Sequence, residues 1–289
     1  MSIPTEPIGS IPRSGELLAA MGDRAAGRIS DPQFHAVEEA ALRDTIARLE
    51  ETGSPVISDG EQSKPSFATY PISGFPHLAP DGAVIPFADG HTRQLPRLTA
   101  GPFRYSVHAG SYLRAALRYS RRPLKQAVIS ASALSLLYPQ DGIPQYPREA
   151  FIEDLIQEAS RDIRDCLEEG AHCVQIDFTE GRLALKLDPS GNVLNSFVAL
   201  NNQVLAGFTA TERKRIGVHT CPGGDRDSTH SADVDYLSLL PSLFNLNVGR
   251  FYIQLASETD RRRVLKTAQT LLNNLEYLFS RHSWHLDLH

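Results

Sequence analysis

The stretch 217-GVHTCPGGD-225 sets His219 and Cys221 two residues apart, ahead of Pro-Gly-Gly and an acid. Alternation along a strand turns both side chains to the same face. A thiolate beside a neutral imidazole is a donor pair suited to Zn²⁺, and the glycines that follow let backbone approach closely. By itself the pair is more simply read as the buried end of a strand. Asp177 closes the apolar run 172-HCVQIDF-178; a carboxylate there needs a cation or hydrogen-bond donors, or else caps the next loop. Glu61, within 59-DGEQSKPSF-67, is a turn acid or a group that receives an ammonium. The ending 282-HSWHLDLH-289 has the composition of a metal-binding tract, but 281–289 is expected to be a disordered tail. Cys166 falls on the apolar face of a helix and reads as core. Cys173 starts a strand, at the end away from chemistry.

These residues need elements to hold them. Asp31-Pro32 reads as a cap and first-turn proline, opening a helix that runs to Gly53. Further helices are expected near 111–120, 148–169, 193–208, 233–245 and 260–280, where apolar residues recur at helical spacing. Strands are expected near residues 8, 56, 127, 175, 217 and 252, and a hairpin-like excursion at 71–104. Alternating strands and helices imply a parallel sheet covered by helices. Polar residues gather at the carboxyl ends of the strands: Asp59 and Glu61, Ser130 and Ser132, Asp177, His219 and Cys221, Gln254. In a (β/α)8 TIM barrel that edge carries the active site. A doubly wound sheet would show a Gly-rich phosphate loop after its first strand, and the sequence contains neither GxGxxG nor a Walker A motif. The expected class is therefore α/β, one barrel-type domain over 1–289, with about six of the eight βα units of such a barrel.

Composition narrows the partners. With 289 residues and a net charge of −5, the chain lacks the basic density of a nucleic-acid surface. No apolar run reaches bilayer length, and the opening MSIPTEPIGSIPRSG lacks the apolar stretch of a signal peptide. Three Cys in so long a chain are expected as reduced thiols. A soluble, cytoplasmic protein without nucleic-acid or membrane partners is the expectation.

Taken in order, 8-IGSIPR-13, 58-SDGEQSKPSF-67, 175-QIDF-178, 217-GVHTCPGGD-225 and 251-FYIQLA-256 resemble the catalytic barrel of cobalamin-independent methionine synthase, in its short single-barrel form. The resemblance spans most of residues 7–260. It implies an S-methyltransferase that moves the methyl group of 5-methyltetrahydrofolate to the sulfur of homocysteine, held as a thiolate on Zn²⁺. By the resemblance His219 and Cys221 are zinc ligands, Asp177 and Glu61 hold the amino group of homocysteine, and the backbone at Gly9 and Ser10 holds its carboxylate. Two departures stand out. Gln254 occupies the place of the ligand Glu, with Glu258 four residues on as a substitute, and no Cys follows Cys221. The sequence thus reads as a family member truncated at its carboxyl end. The open alternatives are a transferase for another thiol and an inactive relative.

Overall fold

The computed structural model describes residues 6–256, 258–278 and 285–288. Among these residues are ten α-helices: α1 (Gly15–Ala25), α2 (Asp31–Glu51), α3 (Gly110–Leu117), α4 (Ala131–Ser135), α5 (Arg148–Glu168), α6 (Glu180–Leu187), α7 (Asn192–Leu205), α8 (Ala210–Arg213), α9 (Tyr236–Leu243) and α10 (Arg261–Leu278). Six short strands make antiparallel pairs: β1 (Leu78–Ala79) with β4 (Arg97–Leu98), β2 (Val84–Pro86) with β3 (Thr92–Gln94), and β8 (Gly224–Asp225) with β9 (Ser228–Thr229). The first two pairs are nested within 71–104.

The parallel sheet comprises β5 (Lys125–Ile129), β6 (Cys173–Asp177), β7 (Ile216–Thr220) and β10 (Arg250–Ile253), with β11 (His285–Leu288) added parallel to β10. Spatial order follows chain order, β5-β6-β7-β10-β11, so the sheet has no switch point of the doubly wound kind. Register sets Gly217 opposite Arg250 and His219 opposite Tyr252. Every residue of β5, β6 and β7 is buried, as expected of strands covered on both faces. Among the described residues the sheet does not close into a barrel.

Local sequence explains the helices. Ser30 and Gln33 form a capping box at the start of α2, with Pro32 in its first turn. On α5, Phe151, Leu155, Ala159, Ile163 and Cys166 are buried at three- and four-residue spacing, the stripe that docks a helix on a sheet.

The chain divides into two compact units. The first runs through Ser73 and adds Val107–Val128 and Asp162–Val174. In it α1 and α2 pack through Leu17, Ala20 and Phe34. The buried Asp162 carboxylate accepts from Tyr70 Oη and, at 2.5 Å, from the Ala109 amide. The second takes in Gly74–Ser106, Ile129–Arg161 and the chain from Gln175 onward. Its aromatic core sets Phe103 at 5.2 Å from Phe151, which stacks on Tyr138.

Three expectations differ from the structure. The segment near residue 8 is not a strand. Pro7 and Pro12 lack amide donors, and the segment is held by isolated bonds instead, from Ser58 Oγ to Gly9 O and from Ile11 N to Gly60 O. The strand expected near 56 is reduced to one parallel bridge, Ile57 to Leu124. Of the expected tail at 281–289, residues 285–288 form β11, while 281–284 and 289 lie outside the described residues. Alternation of His285, Leu286, Asp287 and Leu288 suits a strand better than a free end.

Candidate functional site

In a parallel sheet all carboxyl ends meet at one edge, and the second unit sets four of the sequence candidates there. Asp177 is the last residue of β6, His219 the penultimate residue of β7, Cys221 follows β7, and Gln254 follows β10. Asp177 is 7% exposed and accepts from Gln175 Nε2 at 2.8 Å. His219 is 6% exposed, and its carbonyl accepts from the Phe178 amide at 2.8 Å. Cys221 is half-buried, and its Sγ accepts from the Gly223 amide at 3.4 Å. Burial pushes this thiol up to about 11, with the Asp177 carboxylate adding and the Gly223 amide and Arg182 opposing. Cys221 is thus a neutral thiol at ordinary pH.

The wall beside Cys221 is organised by Arg182 on α6. Its side chain is 1% exposed and pairs with Glu258, Nη1 to Oε1 at 2.9 Å. Its other terminal nitrogen donates to the carbonyls of Ala232 and Val234, and its guanidinium lies 4.6 Å over the Tyr236 ring. Tyr236 Oη in turn donates to Thr220 O at 2.9 Å, on the residue between His219 and Cys221. Sequence reading missed Arg182, because an arginine on a helix usually points to solvent. The available signal was GRLALKL, a helix whose apolar residues surround it.

The Pro-Gly-Gly turn after Cys221 is fixed by packing. Gly223 has φ +68, and a Cβ there would lie 1.7 Å from His230 Nε2, so neither its conformation nor its space admits a side chain. Burial lowers His230 to about 4, with Lys186 and Arg182 contributing, so this imidazole is neutral. The β2–β3 hairpin holds the same turn from outside. His91 bridges Asp89 and Asp225 at 2.5 and 3.0 Å, Arg93 grips Asp225 through two nitrogens, and Phe87 stacks on His91 and edges His230.

The remaining candidates lie in the first unit. Gly9 is buried and Ser10 exposed. Glu61, 3% exposed, has φ +55, an uncommon conformation for a side-chain-bearing residue. It is held by the Asp59 carboxylate, which accepts its amide at 2.9 Å, and by Arg13, which donates to its carbonyl at 3.1 Å. Gly60 permits the turn, since a Cβ there would meet Thr45 at 2.6 Å. Lys64, 1% exposed, pairs with Glu61 at 3.3 Å and donates to Ala127 O at 2.7 Å. Burial raises the Asp59 carboxyl, opposed by Lys64.

A zinc ion needs about four donors in a tetrahedron. Among the described residues no group of three or more His, Cys, Asp and Glu side chains converges to hold a metal. His219 and Cys221 supply two donors, Gln254 is neutral, and Glu258 is engaged by Arg182. The described donor set does not fit a resident zinc. Among the described residues, no helix is long and apolar enough to cross a membrane.

No family model and no curated protein sequence matches the chain. Solved structures do. A B12-independent methionine synthase from Shewanella sp. W3-18-1, in complex with selenomethionine, aligns with a TM-score of 0.68 and 16% identity, over 92% of this chain and 77% of that one. A putative vitamin-B12-independent methionine synthase from Listeria monocytogenes aligns with a TM-score of 0.63 and 18% identity, over 97% and 87%. With its parallel sheet in chain order and its polar carboxyl edge, this chain has the α/β, TIM-barrel-type fold of B12-independent methionine synthases.

Proposed function

We propose that this chain is an S-methyltransferase of the methionine-synthase type, moving a methyl group from 5-methyltetrahydrofolate to the sulfur of a small amino thiol, with homocysteine as the reference acceptor. One observation carries the reading: Asp177, His219, Cys221 and Gln254 stand together at the carboxyl edge of β6, β7 and β10 in this fold. That edge is where barrel-type enzymes do their chemistry.

The acceptor must lose its thiol proton, because the thiolate is the nucleophile. Asp177, oriented by Gln175, is suited to receive the acceptor's ammonium. The His219 imidazole is placed at this edge to take the thiol proton, and N5 of the departing tetrahydrofolate takes up a proton as the C–N bond breaks and the S–C bond forms. The substrate roles implied for Glu61, Gly9 and Ser10 are part of the proposal and are tested by their own variants. The described donors do not complete a zinc site. A cytoplasmic setting belongs to the same proposal and is supported by three free thiols.

The experiment is methionine formation from 5-methyltetrahydrofolate and homocysteine, followed by mass spectrometry, with zinc content measured on the same sample. Asp177→Asn and His219→Ala should each reduce turnover strongly. Absence of methyl transfer to any acceptor in a panel of small thiols overturns the reading. The neutral Gln254 and the engagement of Glu258 by Arg182 favour a second reading, an acceptor other than homocysteine. The same panel tests it, since homocysteine would then be the poorer substrate.

A further inference from the structure

The first unit contains a cavity of about 500 Å³ between α1, α2, α3 and the turn that follows Glu61. That volume lies in the range of small-molecule pockets. Its walls include the aromatic rings of Phe34 and Tyr112 and the apolar side chains of Met21 and Pro65. Its charged and titratable groups are Arg24, His35, Lys64 and Glu38. The acids paired with Arg24 and Lys64, namely Asp31 and Glu61, are not part of the lining. Only Glu38 opposes the basic groups from within it, and it is engaged with His35 at 3.3 Å. Lys64 is buried against Glu61, while Arg24 is half-exposed and bonds Asp31 through Nε, so Arg24 is a cation that the cavity presents to a guest.

Aromatic rings and cations alternate around this cavity. The Arg24 guanidinium lies 4.6 Å over the Phe34 ring. Lys64 Nζ sits over the Tyr70 ring at 4.6 Å, and Tyr70 meets Tyr112 edge to face. Burial raises the Tyr112 phenol to about 12, so its hydroxyl is a neutral donor and adds no negative charge to the wall. Arginine is the cation of choice for a carboxylate beside an aromatic plane.

We propose that this cavity is a binding site for a small aromatic carboxylate, with its ring against Tyr112 and its carboxylate at the Arg24 guanidinium. The site belongs wholly to the first unit and does not depend on the transferase reading.

Saturation-transfer NMR and calorimetry on the full chain test the inference, with 2-naphthoate as the probe. Cyclohexanecarboxylate and 2-naphthylmethylamine serve as comparison ligands, one lacking the aromatic ring and the other reversing the charge. The expected result is saturable one-to-one binding of 2-naphthoate, weaker binding of cyclohexanecarboxylate and none of the amine. Arg24→Gln, at a half-exposed side chain, should weaken 2-naphthoate about tenfold, the worth of one charge-assisted hydrogen bond. Glu38→Gln should tighten it about twofold to threefold by removing the opposing charge. Such tightening cannot come from a variant that merely unfolds. The proposal is overturned by absence of saturable binding at millimolar 2-naphthoate, by the amine binding as well as the carboxylate, or by Arg24→Gln leaving affinity unchanged.

Discussion

Arg182 and Glu258 form an ion pair at 2.9 Å, with side chains only 1% and 12% exposed. It joins α6 to the segment after β10 and occupies the acid that stands nearest in sequence to Gln254. Removing one member leaves the other charge buried and uncompensated, which costs on the order of 3–5 kcal/mol. Arg182→Met and Glu258→Gln should each lower the urea midpoint substantially, while the double variant Arg182→Met/Glu258→Met recovers part of the loss. Equal destabilisation by all three would show that the pair is not the relevant interaction.

The His91–Asp225–Arg93 cluster fastens the β2–β3 hairpin over the turn after Cys221. Cys166 and Cys173 are fully buried and Cys221 is not. A thiol reagent applied to the native protein should therefore react with Cys221 first. Asp225→Asn should raise that reaction rate several-fold, with native thiol counts otherwise unchanged. The Arg93 guanidinium, aided by His91, holds Asp225 down to about 2. A depressed carboxyl stabilises the fold above its unfolded value near 4 and loses that contribution as pH falls toward about 2. The difference in stability between wild type and Asp225→Asn should shrink across that window.

Asp162 follows the opposite sign. Burial raises it to about 6 despite the bonds from Tyr70 and Ala109. Between the unfolded value near 4 and about 6 the folded state holds the extra proton, so stability falls as pH rises through that interval and levels off above it. Asp162→Asn keeps an acceptor for the Ala109 amide and removes the titration. Urea unfolding at acidic and neutral pH should show a difference on the order of a few kcal/mol for the wild type and a flatter response in the variant. A parallel response in both proteins would exclude Asp162 as the source.

Gln254 stands at the carboxyl edge, one strand from His219 and Cys221. Gln254→Glu would add an anionic oxygen donor where the described set has two donors. Zinc affinity, read by competition with a chelator, should rise by roughly tenfold, about 1.4 kcal/mol. An unchanged affinity would mean that the side chain at 254 does not reach the same ion as His219.

Much of the fold is legible because the parallel strands carry their own punctuation. In 172-HCVQIDF-178 and 217-GVHTCPGGD-225, an apolar run ends abruptly in groups that can do chemistry, and β6 and β7 lie where those runs lie. The helix stripe of α5 is equally plain. What could not be read depends on contacts distant in sequence. Arg182 became a buried charge only because Glu258, Ala232 and Val234 come to it from 50 or more residues away. Helix α1 was missed because Gly15 and Gly22 dilute its periodicity, although Ser14 caps it by accepting from the Leu17 amide. Helix α6 was missed because six of its eight residues, Glu180 and Arg182 among them, are buried, which leaves it no continuous polar face.

The agreement between chain order and spatial order in the sheet also bears on how the protein is made. Each of β6, β7, β10 and β11 docks beside the strand of this sheet that precedes it in the chain. Each pairing closes a loop of a few tens of residues, and closure entropy grows only slowly with length. As the chain emerges from the ribosome, every new βα unit meets a finished edge and waits for nothing downstream. The growing edge is also the most exposed surface at each moment, so a pause in translation between β7 and β10 would leave the strand bearing His219 as the open border of the nascent sheet.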